Sequence, residues 1–591
     1  MRLRKAALVP ALVAVSALTL TACGGGGGKA SSDSSKGASA GGAQTFSIGT
    51  KADSTGPAKD IPGAKKGGTA TDIEAAGFDY LDPSQQYVNV LQAIGMLYSR
   101  QLTNYKTDPT TGKVTLVGDM ATDTGTFADG GKTWTWTLKD GLKFEDGTPI
   151  TSKDVKYAVE RLYQDYQTNG ATYFPLWLSG TNYRDVYKGP QTGQELPDSV
   201  IGTPDAKTIV FHFQQAHTDA NFAAAEPDIT AIERSKDTGA QYNTHPVSIG
   251  PYKVADYQPD KSLTLVKNDQ WDPNTDPLRH QYVDKWQFQL NVSVQQLTQR
   301  LMTGNGDDKN ALTLAQNADP SLISQIQNDS SMASRTISQY TPFVDTFDIN
   351  DTRITDVNVR KALVAAFPAA QIQRQLGGSA TGDIAGNLIS PTIAGWKDSD
   401  PLGIKAHKQG DPAAAKKILT DANKLNTHIE IGYANTPKWA QVASTLVDAL
   451  NQAGFQAEKK EIDATSYYSV IGKKDNQFDM YRTGWGADWP QGDTVIPPTL
   501  DGRTIADGAT NYAHYNNPTM NSQMDTIAKN TNVTEAAGQW MDLADKILTT
   551  DVPKIPLEYD KFFQVYGAGL GGVAYNPVLG CIDPSSVYLK G

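Results

Sequence analysis

Between Thr133 and Leu138 the chain alternates Thr-Trp-Thr-Trp-Thr-Leu, and a period of two predicts a strand with one buried face and one wet face. Asp146-Gly147 follows as a turn signal, and Thr151 with Asp154 three positions on has the spacing of a capping box. Val155, Ala158, Val159 and Leu162 then recur at helical spacing, so a helix starts after Thr151. The period changes again further on. Ile429 to Tyr433 reads as a strand, and Thr436-Pro437 supplies an N-cap and a first-turn proline to a helix marked by Val442, Leu446, Ala449 and Leu450. Gly454 stops that helix, and Phe455 to Ile462 reads as the next strand. This β-α-β unit predicts a parallel sheet covered by helices in the C-terminal half, an α/β body whose ligands belong at the carboxyl ends of strands.

The N-terminus has a different texture. Arg2, Arg4 and Lys5 precede an apolar run from Ala6 to Leu20, interrupted by Pro10, which is too short for a comfortable membrane span and reads as an export signal over residues 1–22. Leu20-Thr21-Ala22-Cys23 resembles a lipoprotein processing site, with Cys23 as the residue to be acylated. Residues 24–68 are Gly, Ser, Ala and Lys with few large apolar side chains, so they predict a disordered linker that tethers the body to the outer face of the cytoplasmic membrane. Removal of the signal leaves 50 Lys+Arg against 64 Asp+Glu, a formal charge near −14, which argues against nucleic acid as a partner. Cys581 is then the single remaining cysteine and reads as a small buried hydrophobe. The seven histidines show no i, i+4 pair of the kind that builds a helical metal site, so no metal and no cofactor is expected. A secreted hydrolase built on paired carboxylates such as Glu145 and Asp146 is the alternative from another class, although Asp146 sits in a turn.

The eighteen residues from Trp134 to Thr151, Trp-Thr-Trp-Thr-Leu-Lys-Asp-Gly-Leu-Lys-Phe-Glu-Asp-Gly-Thr-Pro-Ile-Thr, resemble the signature of family 5 solute-binding proteins, the oligopeptide and dipeptide receptors of ABC importers. Further blocks occur in the same order: Leu81-Asp82-Pro83, Ile249-Gly250-Pro251-Tyr252, Phe347-Asp348-Ile349-Asn350, Val357 to Leu363, Gly484 to Trp489 and Tyr512 to Pro518. The resemblance implies a two-lobed, periplasmic-binding-protein-like fold (class II, cluster C) with an extra domain inserted in the N-terminal lobe. On that template the first lobe comprises 69–105, 245–335 and 554–591, the inserted domain 106–244 and the other lobe 336–553, with two crossings between lobes. It also implies a monomeric receptor without enzymatic activity, which takes a peptide from solution to permease subunits driven by separate ATPases. Relatives with this fold that bind an oligosaccharide or a metal chelate are the alternative within the class.

A peptide receptor must hold backbone and termini while tolerating varied side chains. In the family the aspartate at the position of Asp488 pairs with the ligand's α-ammonium group, and the glycine-rich backbone beside it, here Gly484, Trp485 and Gly486, hydrogen-bonds the peptide. Arg482 occupies the place where some relatives receive the ligand carboxylate, and a structural ion pair is its equal alternative. Trp485 and Trp489 are candidates for pocket walls or for core. On the first lobe the segment after Leu81-Asp82-Pro83 faces the cleft in relatives, which nominates Tyr87, Val88 and Asn89.

Overall fold

The computed structural model describes residues 46–591; residues 1–45, which include the predicted signal, Cys23 and the first part of the linker, lie outside the described residues. Four main sheets organise the body. A three-stranded sheet runs β1-β4-β3, where β1 is Phe46–Ile48, β3 Thr103–Thr107 and β4 Val114–Gly118. A four-stranded sheet runs β5-β6-β8-β7 through Thr126–Ala128, Thr133–Thr137, Thr208–His212 and Ile201–Gly202. The five-stranded sheet of the first lobe has the order β12-β2-β11-β10-β9, with β2 at Thr69–Ile73, β9 at Tyr252–Gln258, β10 at Ser262–Lys267, β11 at Lys285–Gln289 and β12 at Ala311–Leu312. The other lobe carries a six-stranded sheet, β14-β18-β13-β17-β15-β16, with β13 at Thr336–Ile349, β14 at Gly382–Ile384, β15 at His428–Ala434, β16 at Gln456–Ile462, β17 at Met480–Gly486 and β18 at Lys554–Val565.

The sequence patterns become these elements for identifiable reasons. In β6, Trp134 and Trp136 point into the core of the inserted domain while the threonines between them stay wetter. At the following helix, Ser152–Arg161, the Thr151 amide donates to Asp154 Oδ2 at 2.8 Å, closing one half of the capping box. β15 and β16 pair in parallel across the helix Pro437–Gln452, and Gly454, at φ 95°, turns the chain out of that helix before β16. Glu145 and Asp146 are spoken for: Glu145 Oε2 accepts from the Ser248 amide and Asp146 Oδ1 from the Thr148 amide, so this pair holds a turn. Cys581 is fully buried in the core of the first lobe, as the sequence suggests.

Two expectations change. Residues 46–68 fall within the predicted disordered linker, yet they are laid down on the body: β1 pairs in parallel with β4, the Gly118 amide donates to Ser54 Oγ at 2.8 Å, and the Ala58 amide donates to the Asp276 carbonyl at 2.9 Å. An edge strand needs only backbone and one good anchor, and Phe46 supplies it by packing against Phe222 and Tyr105 at ring separations of 5.4 and 6.2 Å. The lobe boundary expected at 553/554 also moves, because β18 is a central strand of the six-stranded sheet, paired with β13 along its length. Ile555 and Leu557 lie in the core of the second lobe, whereas Phe563 and Val565 pack with Ile73 and Leu297 of the first. β13 and β18 are therefore the two strands that cross between lobes, and their register breaks between Tyr340 and Val344.

Buried ion pairs weld the inserted domain to the first lobe. Arg279 pairs with Asp119 at 2.8 Å and Asp276 at 3.1 Å, Arg100 with Asp119 at 2.7 Å, and Lys139 Nζ donates to the Gly118, Asp119 and Thr275 carbonyls. Arg161, on the helix after the long signature, reaches Asp82 at 2.8 Å and Asp237 at 3.0 Å. Lys139, Asp82 and Arg161 thus hold the fold.

Candidate functional site

β17 runs further than its sequence suggests. Arg482 to Gly486, where Arg482, Gly484, Trp485 and Gly486 are nominated above as ligand-binding residues, lies inside the strand and pairs with β13 from Phe343↔Gly486 to Phe347↔Arg482. β15 pairs only with Met480 and Tyr481 of β17, so from Arg482 onward the second edge of β17 carries no strand among the described residues. The chain then turns through Ala487 to Asp488 and Trp489. The glycines have a packing reason as well: a Cβ at Gly484 would stand 2.6 Å from Asp345 Oδ1, and one at Gly486 2.6 Å from the Phe343 ring. Their cross-strand neighbours fill the space that a side chain would need.

Asp488 is the meeting point of three parts of the protein. Its Oδ1 accepts from the Tyr87 hydroxyl of the first lobe at 2.9 Å, and its Oδ2 accepts from the Tyr173 hydroxyl of the inserted domain. Burial pushes the Asp488 carboxyl up to about 6, against the pull of the two phenol hydrogen bonds. Tyr87 is positioned by the helix Asn89–Tyr98 that follows it, since Gln92 Nε2 donates to the Tyr87 carbonyl at 3.1 Å. Val88, the N-cap residue of that helix, is 52% exposed, and Asn89 opens the helix. Neither is brought onto Asp488 by a hydrogen bond, whereas Tyr87 is.

Arg482 sits at the other end of the open edge. It pairs with Asp345 at 2.5 Å, stacks over Trp439 at 4.8 Å and donates to the Tyr468 hydroxyl at 3.1 Å. The structural ion pair is therefore present. Arg482 also lines a cavity of about 210 Å³ with Phe347, Tyr433, Trp439 and Tyr468, at the carboxyl end of β15. Trp485 donates Nε1 to the Thr494 carbonyl at 2.6 Å and packs against the core of the second lobe. Trp489 is 2% exposed and packs across the interface on Tyr173, ring centres 4.7 Å apart.

Sequence reasoning missed Tyr173, Gln92 and Glu226. Gln92 Nε2 stands 3.4 Å from Glu226 Oε2, and burial together with Asp488 and Asp228 pushes the Glu226 carboxyl well above the usual range. Nothing in their local sequence marks them, because Tyr173 and Glu226 matter through Asp488 in the other lobe, and Gln92 through its bonds to the Tyr87 carbonyl and Glu226.

With this geometry in view, comparison with known proteins is decisive about the family. Residues 115–507 match the model of bacterial extracellular solute-binding proteins, family 5, middle region. The chain belongs to this family. A family 5 solute-binding protein acts outside the cytoplasm, and no helix among the described residues is long and apolar enough to cross a membrane. Similar curated proteins include the probable D,D-dipeptide-binding periplasmic protein DdpA of Escherichia coli K12, 21% identical over 86% of this chain and 91% of the relative. The oligopeptide-binding protein OppA of Bacillus subtilis is 22% identical over 77% of this chain and 81% of the relative. Among solved structures, the clavulanic acid biosynthesis oligopeptide binding protein 2 superposes with a TM-score of 0.82 at 29% identity, covering 89% of this chain and 96% of its own. The unliganded open form of the murein tripeptide binding protein MppA gives 0.68 at 17%, covering 90% and 99%. The two-lobed fold of this family 5 protein is thereby established.

Proposed function

We propose that this protein is the peptide receptor of an ABC importer, anchored through a lipid on Cys23, which captures a peptide between its lobes and delivers it as a monomer to the permease. The observation that carries the peptide reading is the open edge of β17, which ends at a carboxylate shared by tyrosines from the facing lobe. An extended peptide laid along that edge gains main-chain hydrogen bonds without reference to its side chains. Its α-ammonium group reaches Asp488, where Tyr87 and Tyr173 hold the carboxylate from the opposite side, so one group of the ligand touches both lobes. Arg482 and the cavity beside Trp439 lie where the chain continues toward its carboxylate. The relatives named for dipeptides and oligopeptides support the same class of solute. Closure is then a hinge motion on β13 and β18, driven by contacts that exist only in the closed state.

The test is native mass spectrometry of the purified protein, followed by denaturation to release whatever co-purified. A heterogeneous set of short peptides supports the reading, and a single sugar or metal complex overturns the peptide while leaving the family intact. For the anchor, Cys23→Ala should move the protein from the membrane to the soluble fraction, and unchanged fractionation would overturn lipidation at Cys23.

A further inference from the structure

A cavity of about 360 Å³ opens between the inserted domain and the second lobe, immediately beyond the Asp488 anchor. Tyr173 and Trp489 form the shared wall: the Tyr173 hydroxyl is on Asp488 and its ring faces the cavity, while Trp489 is the next residue in the chain. Trp177 and Trp540 add aromatic surface, with His217 stacked on Trp177 at 3.9 Å. Burial pushes the His217 imidazole down to about 4, so this wall is uncharged at neutral pH.

The carboxyl groups lining the cavity are Asp219 from the inserted domain and Asp493 from the second lobe, beside polar side chains that include Thr218, Gln491 and Asn530. Asp493 Oδ1 is buried without an N–H or hydroxyl donor among the described residues and has the Asp219 carboxyl within hydrogen-bond reach, and Asp219, although at an N-cap position, makes no capping bond. Burial, and then the facing Asp219 carboxyl, push Asp493 well above the usual carboxylate range. Nearby, Glu226 and Asp228 are 4% and 2% exposed, and Asp228 Oδ1 is likewise without a partner. None of Asp219, Glu226, Asp228, Asp488 or Asp493 forms an ion pair with any Lys, Arg or His among the described residues. Some buried carboxylates elsewhere have cationic partners, as Asp119, Asp276 and Asp348 do, while Asp72, Glu74, Glu160, Glu558 and Asp583 have none among the described residues.

Burial holds Asp493, Glu226 and Asp228 toward their neutral forms, and a ligand cation placed between the facing Asp219 and Asp493 carboxyls would let them ionise and pair with it. A metal ion does not fit, because among the described residues no three of these groups converge closely enough to chelate one. An organic cation does fit, since aromatic faces and carboxylates together suit an ammonium or guanidinium group. We propose that this cavity is a subsite for the side chain of the ligand's first residue and selects a cationic one, lysine or arginine, through Asp219 and Asp493. This rests on the reading of the protein as a peptide receptor with the ligand amino terminus at Asp488.

The experiment is calorimetric titration of the full chain with four tetrapeptides: Lys-Ala-Ala-Ala, norleucine-Ala-Ala-Ala, Ala-Ala-Ala-Ala and Ala-Ala-Ala-Lys. The expected result is that the lysine-led peptide binds at least about tenfold more tightly than the norleucine-led one, which matches it in length without the charge. Asp493→Asn and Asp219→Asn should each reduce that ratio toward one while the norleucine-led peptide keeps its affinity. That unchanged affinity also shows that the variants fold. Equal binding of lysine-led and norleucine-led peptides to the wild type overturns the subsite and leaves the peptide reading standing. Tighter binding of Ala-Ala-Ala-Lys than of Lys-Ala-Ala-Ala overturns the placement of the cationic residue. Binding of none of the four overturns the peptide reading and the subsite with it.

Discussion

Replacing Asp488 by asparagine is the most informative perturbation of the site, because it preserves shape and removes charge. In the wild type the carboxylate accepts from Tyr87 at 2.9 Å and from Tyr173, which leaves lone pairs for a third donor, the ligand ammonium. An asparagine carbonyl keeps one acceptor, so one tyrosine retains its bond, while the ammonium loses its counter-charge in a site already stripped of water. Two unit charges about 4 Å apart interact by about 4 kcal/mol at an effective dielectric constant of about 20. Truncating one partner of a buried, hydrogen-bonded charge pair costs about 2–5 kcal/mol. The expected loss is therefore about 30- to 4000-fold in Kd, at about 1.4 kcal/mol per factor of ten. Titration calorimetry with a peptide and its N-acetylated form completes a thermodynamic cycle: acetylation should weaken binding to the wild type and have almost no further effect on Asp488→Asn. Additive losses from the two changes would refute the pairing of Asp488 with the ligand amino terminus, whatever the affinity of either species alone.

The same carboxyl gives a pH dependence. Its value is raised to about 6, the ligand binds the charged form, and so affinity should rise with pH through about 6 and level off above it, with protons released on binding. Asp488→Asn should flatten that rise; an equal slope in the variant would assign it to another group. Arg279→Met should destabilise the protein by about 3–5 kcal/mol, because Asp119 and Asp276 are left as buried charges with fewer partners, and an unchanged melting temperature would contradict this. Gly484→Ala should cost about 1–3 kcal/mol, since Asp345 is held by Arg482 and cannot retreat from the new methyl group. Gly486→Ala should cost less, because Phe343 is 40% exposed and its ring can swing into solvent. The reverse order in chemical denaturation would refute the packing account of these glycines.

Much of the fold was legible because it is written in local periods. The alternation around Trp134 and the strand-helix-strand pattern from 429 to 462 each bury a face within a few residues of themselves, and both formed as expected. The course of β17 was not legible, since Gly-Trp-Gly lacks the β-branched residues that mark a strand and is held there by pairing with β13. Composition misjudged residues 46–68 because averaging over the linker hid Phe46, the one anchor that an edge strand needs. The site was half legible. Asp488 stood out through its motif, but its partners lie 401 and 315 residues away, and no spacing rule reaches that far. Arg482 was open between two roles, and only the cross-strand position of Asp345 shows that its ion pair is formed.

The acidic groups around Asp488 also bear on how the ligand controls closure. The carboxyls face one another across the moving interface, with Glu226 of the inserted domain against Asp488 of the second lobe and Asp219 against Asp493. Closing the empty cleft brings like charges together and removes their water, so they must take up protons or repel, and either response disfavours the closed state at neutral pH. A ligand cation reverses the sign of the same contacts. It gains from both lobes at once, and the gain exists only when they meet, which is the differential affinity that a shift of population requires. On the proposed reading, the tyrosine bonds to Asp488 define the geometry of closure, and the facing carboxyls make closure conditional on positive charge. On this argument Glu226→Gln, which lowers the repulsion without touching the Tyr87 or Tyr173 bonds, should raise the closed fraction of the empty protein. Small-angle X-ray scattering of the ligand-free variant should then give a smaller radius of gyration than the wild type, and an equal or larger radius would show that the charges do not hold the cleft open.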